Sequence, residues 1–229
     1  MNRIIDINDS STYPNFLIDS FINDYEIDYD ELFKDYYFKC CHVCCTSDIN
    51  NYIKYGILRP YYVNDNGIRG INQKLKEIIL EPLKDGYDYD TYSKKYDELL
   101  EKTYEKDKDI IPDWYGKYSC VCYTLDSMNK VNRDNPGYEP IISCYGGEIF
   151  RDLGISDSEA EKLAVNYKSY AIFFKLPYDE ITKKCIYFSN VIRHMNKIYN
   201  NEKSEYSFES NVNQDIDSKD FIEICEVKK

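Results

Sequence analysis

The segment Phe38-Lys39-Cys40-Cys41-His42-Val43-Cys44-Cys45-Thr46 carries one of only two histidines in the chain and neither glycine nor proline. It reads as the body of a buried strand running from Tyr36 to Thr46. Successive strand side chains alternate between faces, so Cys40, His42 and Cys44 point one way and Cys41, Val43 and Cys45 the other. A lone strand histidine is more often a satisfied core residue than a ligand. What surrounds His42 in the rest of the sequence therefore decides its meaning.

Upstream, residues 1–34 read as an N-terminal helical extension, with Phe16 to Ile22 as a short helix packing on the domain and Asp28 to Lys34 as a second helical turn. Downstream, Ser47-Asp48 supplies an N-cap, Ile49, Tyr52 and Ile53 form one helical face, and Gly56 ends the helix. Ile57-Leu58-Arg59-Pro60 leaves it extended. After a turn at Gly67 to Gly70, the spacing of Ile71, Leu75, Ile78 and Ile79 predicts a helix up to Pro82, and Lys84 to Tyr89 is a loop. A charged amphipathic helix from Thr91 to Lys106 turns Tyr92, Tyr96, Leu99, Leu100 and Thr103 inward. Both helices read as scaffold.

Tyr118 to Asp126 is a second strand, Asn132 to Pro140 a polar loop containing Pro136-Gly137, and Ile141 to Phe150 a third strand. A short helix, Asp157 to Val165, has Asp157 and Glu159 near its start, as the helix dipole prefers. Tyr170 to Pro177 is the most apolar strand, and Phe221 to Val227 closes the chain with clean alternation. Cys185 to Tyr199 does not declare its type, and the polar residues 200–219 are expected as an exposed loop. There is no internal repeat, and residues 1–229 read as one domain.

The second telling stretch is Ser143-Cys144-Tyr145-Gly146-Gly147-Glu148-Ile149-Phe150. Paired glycines permit close approaches or positive-φ turns that a Cβ forbids, and a carboxylate follows at once between apolar neighbours. Such a carboxylate suits a presented acid. The plain alternative is a surface turn whose Glu148 faces water.

Composition excludes several classes. At 43% hydrophobic and 31% charged, the chain has an ordinary globular balance rather than a disordered one. A net charge of −12 argues against broad affinity for nucleic acid or anionic membranes, both of which need a cationic field. Arg59, Arg69, Lys74, Lys76 and Arg151 are the donors for a local anion pocket. Met1 to Ser20 lacks the apolar core of a signal peptide, and no apolar run reaches the length of about 18 residues that a membrane span needs. Nine cysteines, several in strand-like runs, fit reduced buried thiols and a cytoplasmic location.

Cys41-x-x-Cys44 with Cys120-x-Cys122 makes a zinc inventory of four thiolates, but a structural CxxC sits in a tight knuckle whereas this one lies in an extended, bulky run. A cysteine nucleophile paired with His42 or His194 has no supporting spacing. Phosphate-loop, dinucleotide-fold, zinc-hydrolase and serine-hydrolase signatures are missing.

In order, strand-borne His42, a short helix, Gly56-Ile57-Leu58-Arg59-Pro60, Val121-Cys122-Tyr123-Thr124 and Tyr145-Gly146-Gly147-Glu148 resemble the elements of ADP-ribosyltransferase-like proteins of the His-Tyr-Glu branch. The resemblance spans roughly residues 36 to 180. It implies an α+β fold with a split, mostly antiparallel β-sheet core, flanking helices and NAD bound in the cleft. His42, with Thr46 on the same strand, then holds the adenosine-side ribose, and Tyr123 stacks on nicotinamide beneath a second aromatic, Tyr138 or Tyr61. Arg59 or Arg69 meets the pyrophosphate, and Glu148 is catalytic. A fixed carboxylate stabilises the oxocarbenium ion that forms as nicotinamide leaves more than it stabilises the ground state.

Gly146 stands where arginine-modifying relatives carry a second Glu or Gln, and no Ser-Thr-Ser strand motif is present, so the implied acceptor is an unknown macromolecule modified elsewhere than at arginine. Transfer, NAD hydrolysis and an inactive relative all remain compatible with the residues. Such folds often serve toxins and phage defence. The alternative from charge and tyrosine content is a non-enzymatic acidic binding protein, antitoxin- or inhibitor-like, docking on a basic partner.

Overall fold

The computed structural model describes residues 3–23, 25, 27–63, 69–107, 120–126, 130–131, 134–135, 138–143, 145–182 and 188–228. The chain begins with a two-residue strand β1 (Ile4–Ile5) and helices α1 (Asn15–Asn23) and α2 (Tyr29–Phe33). Asp28 caps α2 by accepting from the backbone N–H groups of Asp30 and Glu31. Strand β2 (Tyr37–Thr46) follows, then α3 (Asn50–Tyr55), a ribbon of β3 (Tyr61–Val63) with β4 (Arg69–Ile71), and helices α4 (Gln73–Leu80) and α5 (Tyr89–Asp107). Strand β5 is Val121–Thr124. Three short helices come next, α6 (Glu139–Ser143), α7 (Gly147–Asp152) and α8 (Asp157–Ala164). The chain ends with β6 (Lys168–Pro177), α9 (Tyr178–Thr182), α10 (Phe188–Tyr199), β7 (Glu209–Val212) and β8 (Phe221–Val227).

The main sheet runs β7-β5-β2-β6-β8, with β1 added in parallel to β2 and every other pairing antiparallel. The fold is thus α+β with a mostly antiparallel sheet and flanking helices, as expected. Among the described residues, no helix is long and apolar enough to cross a membrane.

The alternation read in β2 sets the layers. Phe38, Cys40 and Cys44 join Val121, Tyr123, Ile172, Phe174 and Leu176 under α1, α2 and α10, whose Leu17, Phe33, Val191 and Met195 complete the main core. On the opposite face Cys41 and Val43 meet Ala171, Phe173 and Val227 beneath Tyr138 and Ile142. A third cluster gathers α4, α5, α7 and α8 around Leu80, Tyr96, Leu100, Phe150 and Ala164.

Several expectations require correction. Ile141 to Phe150 is not a strand: Glu139-Pro140 opens α6, where the first turn tolerates proline, and Gly146 at φ 75° turns the chain into α7. A Cβ on Gly146 would meet the Phe150 ring at 2.3 Å, so the turn needs this glycine twice over. The segment 200–219 is not wholly an exposed loop, since it supplies β7 and a two-residue bridge between Ile216 and Ile57. The undeclared segment 185–199 contains α10. The second strand is shorter than Tyr118 to Asp126, and Tyr118-Ser119, Gly67, Pro136-Gly137, Cys144 and Cys185 lie outside the described residues.

Candidate functional site

One edge of β2 is fully paired with β6, from Tyr37 opposite Pro177 to Thr46 opposite Lys168. The other edge is covered by β1 at Tyr37 and Phe38 and by β5 at a single registered pair, Cys41 opposite Thr124. Beyond that pair lies a cavity of about 630 Å³, within the range of small-molecule sites. Every residue from Cys41 to Thr46 borders it. Since neighbouring strand residues face opposite ways, a cavity touched by six in a row lies against the strand's edge.

Cys120, Val121 and Cys122 of the facing segment border the cavity on the far side. Tyr52 and Tyr55 of α3, Leu75 and Ile79 of α4, Tyr138 just before α6 and Ile141 within it, Glu148 and Ile149 of α7, and Glu209 of β7 enclose it. Helix α3 is fixed there by local chemistry. Asp48 accepts from the Asn50 N–H, Gly56 closes the helix at φ 77° with its N–H on the Tyr52 carbonyl, and Ile57 exchanges two 2.9 Å backbone bonds with Ile216.

Next to the single registered pair of β2 with β5, the His42 ring reaches the facing segment, with Nδ1 3.0 Å from the Cys122 carbonyl. A carbonyl only accepts, so Nδ1 carries the proton and Nε2 is left as an acceptor. The ring sits at the floor of the concavity, half-buried yet surrounded by protein. Burial lowers its pKa, against the raising effect of the Cys122 bond, so the imidazole is neutral at pH 7. The Tyr52 ring is 6.2 Å from it, centroid to centroid, and burial raises the Tyr52 phenol well above its ordinary pKa.

Glu148 is exposed in the first turn of α7, where the dipole favours an acid, and its charge reaches Cys122 across the cavity. Among the described lining residues, the carboxylates are Glu148 and Glu209, and none is Lys or Arg. At the rim, the ammonium groups of Lys54 and Lys74 lie 4.9 and 5.1 Å from the Tyr55 ring centroid.

The residues expected from sequence at the site divide clearly. His42, Thr46, Tyr123, Tyr138 and Glu148 all border this one cavity, although they come from three distant parts of the chain. Tyr123, however, is only 4% exposed, its ring edge-on to Phe174 in the main core. The Tyr138 hydroxyl donates to buried Asp126 at 2.8 Å, and the Thr46 hydroxyl accepts from the Asp48 N–H in the turn before α3. Arg59 is not among the lining residues. Its guanidinium donates to the Asn213 carbonyl at 2.9 Å and to Asp215 at 3.3 Å.

Of the other expected anion donors, Lys76 is buried on Asp97 and Arg151 pairs with Asp157, while the side chain of Arg69 lies outside the described residues. Tyr61 is buried in the third cluster. Among the described residues, no group of three or more His, Cys, Asp or Glu is placed to hold a metal ion.

Sequence reasoning missed Tyr52, Tyr55 and Glu209 as site residues, and it weighed Cys122 only as a zinc ligand. Tyr52 had a signal, its place on the inward face of α3, but that spacing is the same one a scaffold helix shows. Glu209 had none, because its strand is polar. No protein-family model matches the chain, and comparison with curated proteins and with solved structures returned no match.

Proposed function

We propose that this cavity binds NAD and that the protein cleaves the nicotinamide–ribose bond, passing ADP-ribose to a macromolecular acceptor at a site other than arginine. The observation that carries this reading is that His42 and Glu148 border one cavity at the edge of β2, with the Tyr52 ring beside the imidazole. Neutral His42 accepts a ribose hydroxyl at Nε2. Tyr52 supplies the aromatic face for nicotinamide in place of Tyr123, whose ring is committed to the core. Lys54 and Lys74 at the rim meet the pyrophosphate in place of Arg59.

Glu148 supplies the chemistry. As the glycosidic bond breaks, positive charge moves onto the ribose, and a carboxylate beside a mostly apolar cavity stabilises that charge more than it stabilises the ground state. Water and a protein hydroxyl or carboxylate are both competent to capture the cation. The test is release of labelled nicotinamide from NAD with cell lysate present. Glu148→Gln lowers the rate about 100-fold or more, and equal slow release by both proteins refutes the reading. Expression of the wild type arrests growth, and Glu148→Gln removes the arrest.

A second reading rests on the same two carboxylates. An apolar cavity bordered by Glu148 and Glu209, on a chain of net charge −12, also suits a lysine or arginine side chain of a basic partner protein. It predicts salt-sensitive association with that partner and indifference to NAD.

A further inference from the structure

Nothing in the proposed reaction uses the thiols of Cys120 and Cys122, which face β2 across the cavity. Of the seven cysteines described, Cys40, Cys41 and Cys44 are buried, Cys45, Cys120 and Cys225 are half-buried, and Cys122 alone is exposed. Cys120 and Cys122, two residues apart in one extended segment, both border the cavity. Cys122 is also the residue whose carbonyl holds His42 Nδ1. The imidazole is therefore a local reporter of changes at Cys122.

We propose that Cys122, the exposed thiol at this cavity, is a modification site at which a small disulfide forms a mixed disulfide that fills the cavity. In this step the Cys122 thiolate attacks one sulfur of the small disulfide. The new S–S bond forms as the old one breaks, and the departing thiolate takes up the proton that Cys122 lost. The neighbouring Cys120 thiol lowers the pKa of Cys122 by stabilising its thiolate, against burial and the charges of Glu148 and Glu209, which raise it. Burial instead raises Cys41 and Cys44 to about 12, which keeps both protonated and inert. The inference does not depend on NAD being the ligand.

The probe is glutathione disulfide, with the adduct mapped by peptide mass spectrometry and the local effect read by proton NMR. The chain has two histidines, so the His42 and His194 ring resonances can be followed separately. The fast adduct maps to Cys122 and forms at least about tenfold faster than at the other described thiols. It shifts the His42 resonance, leaves that of His194 in place, and reverses with dithiothreitol. Cys122→Ser abolishes the fast phase, and Cys120→Ser slows it. A fast phase that maps elsewhere, survives Cys122→Ser or leaves His42 unmoved overturns the proposal. A reversible Cys122 adduct on a protein that never releases nicotinamide keeps the thiol site and removes the NAD reading.

Discussion

Gly56→Ala tests the way helix α3 is tied to the rest of the site. Gly56 has φ 77° and ψ −165°, a region that only glycine occupies readily, and forcing alanine there costs about 1–3 kcal/mol. An added Cβ would also stand 2.0 Å from the Ile216 carbonyl oxygen, a backbone atom that cannot swing aside. Relieving that overlap separates the two strands and breaks both 2.9 Å bonds between Ile57 and Ile216, each contributing about 1 kcal/mol. Alanine also reduces unfolded-state entropy, which offsets roughly 0.4–1 kcal/mol. The net loss is about 3 kcal/mol, read as a lower urea midpoint at unchanged slope. Gly86→Ala is the control, because its φ is 96° but nothing lies within 4 Å of the added carbon, so it carries the conformational cost alone. Equal losses for the two variants would show that close approach to Ile216 contributes nothing.

Three further outcomes follow from buried polar groups. Burial and Lys130 lower His194 from 6.5 to about 4, so the unfolded chain takes up a proton before the native one does; stability falls as pH drops from 6.5 toward 4, and urea melts across that range check it. Asp126 accepts from Tyr138, Ser207 and Lys130, so Asp126→Ala removes three contacts, leaves Lys130 its bond to the Tyr206 carbonyl, and costs about 3 kcal/mol, whereas a loss below 1 kcal/mol contradicts the network. The Tyr96 hydroxyl is buried with no hydrogen-bond partner among the described residues; Tyr96→Phe is neutral or raises the melting temperature, and a clear drop would reveal a partner.

The sequence made β2, β6 and β8 legible because each combines apolar content with alternation and faces at least one core layer. Strand β7 was hidden for the converse reason: Glu209, Ser210 and Asn211 look like loop residues, and pairing with β5 makes them a strand. Ile141 to Phe150 failed because a short apolar run reads equally as a strand or as buried helix. The positive φ at Gly146 decides between them, and only the Phe150 ring beside it reveals the reason. At the site, His42 and Glu148 stood out by residue type. Arg59 could not be judged from its neighbours, since its carboxylate partner, Asp215, lies 156 residues away. Tyr123 was placed in the right strand, but burial in the main core rather than spacing decides what its ring can do.

Calorimetric titration of NAD into wild type, Tyr52→Ala and Glu148→Gln bears most directly on the cavity's role. Binding by wild type is expected to persist in Glu148→Gln, because that acid acts on the transition state, and to weaken at least about tenfold in Tyr52→Ala with the loss of the aromatic face. No binding by wild type, or equal binding by wild type and Tyr52→Ala, contradicts the assignment of this cavity to NAD.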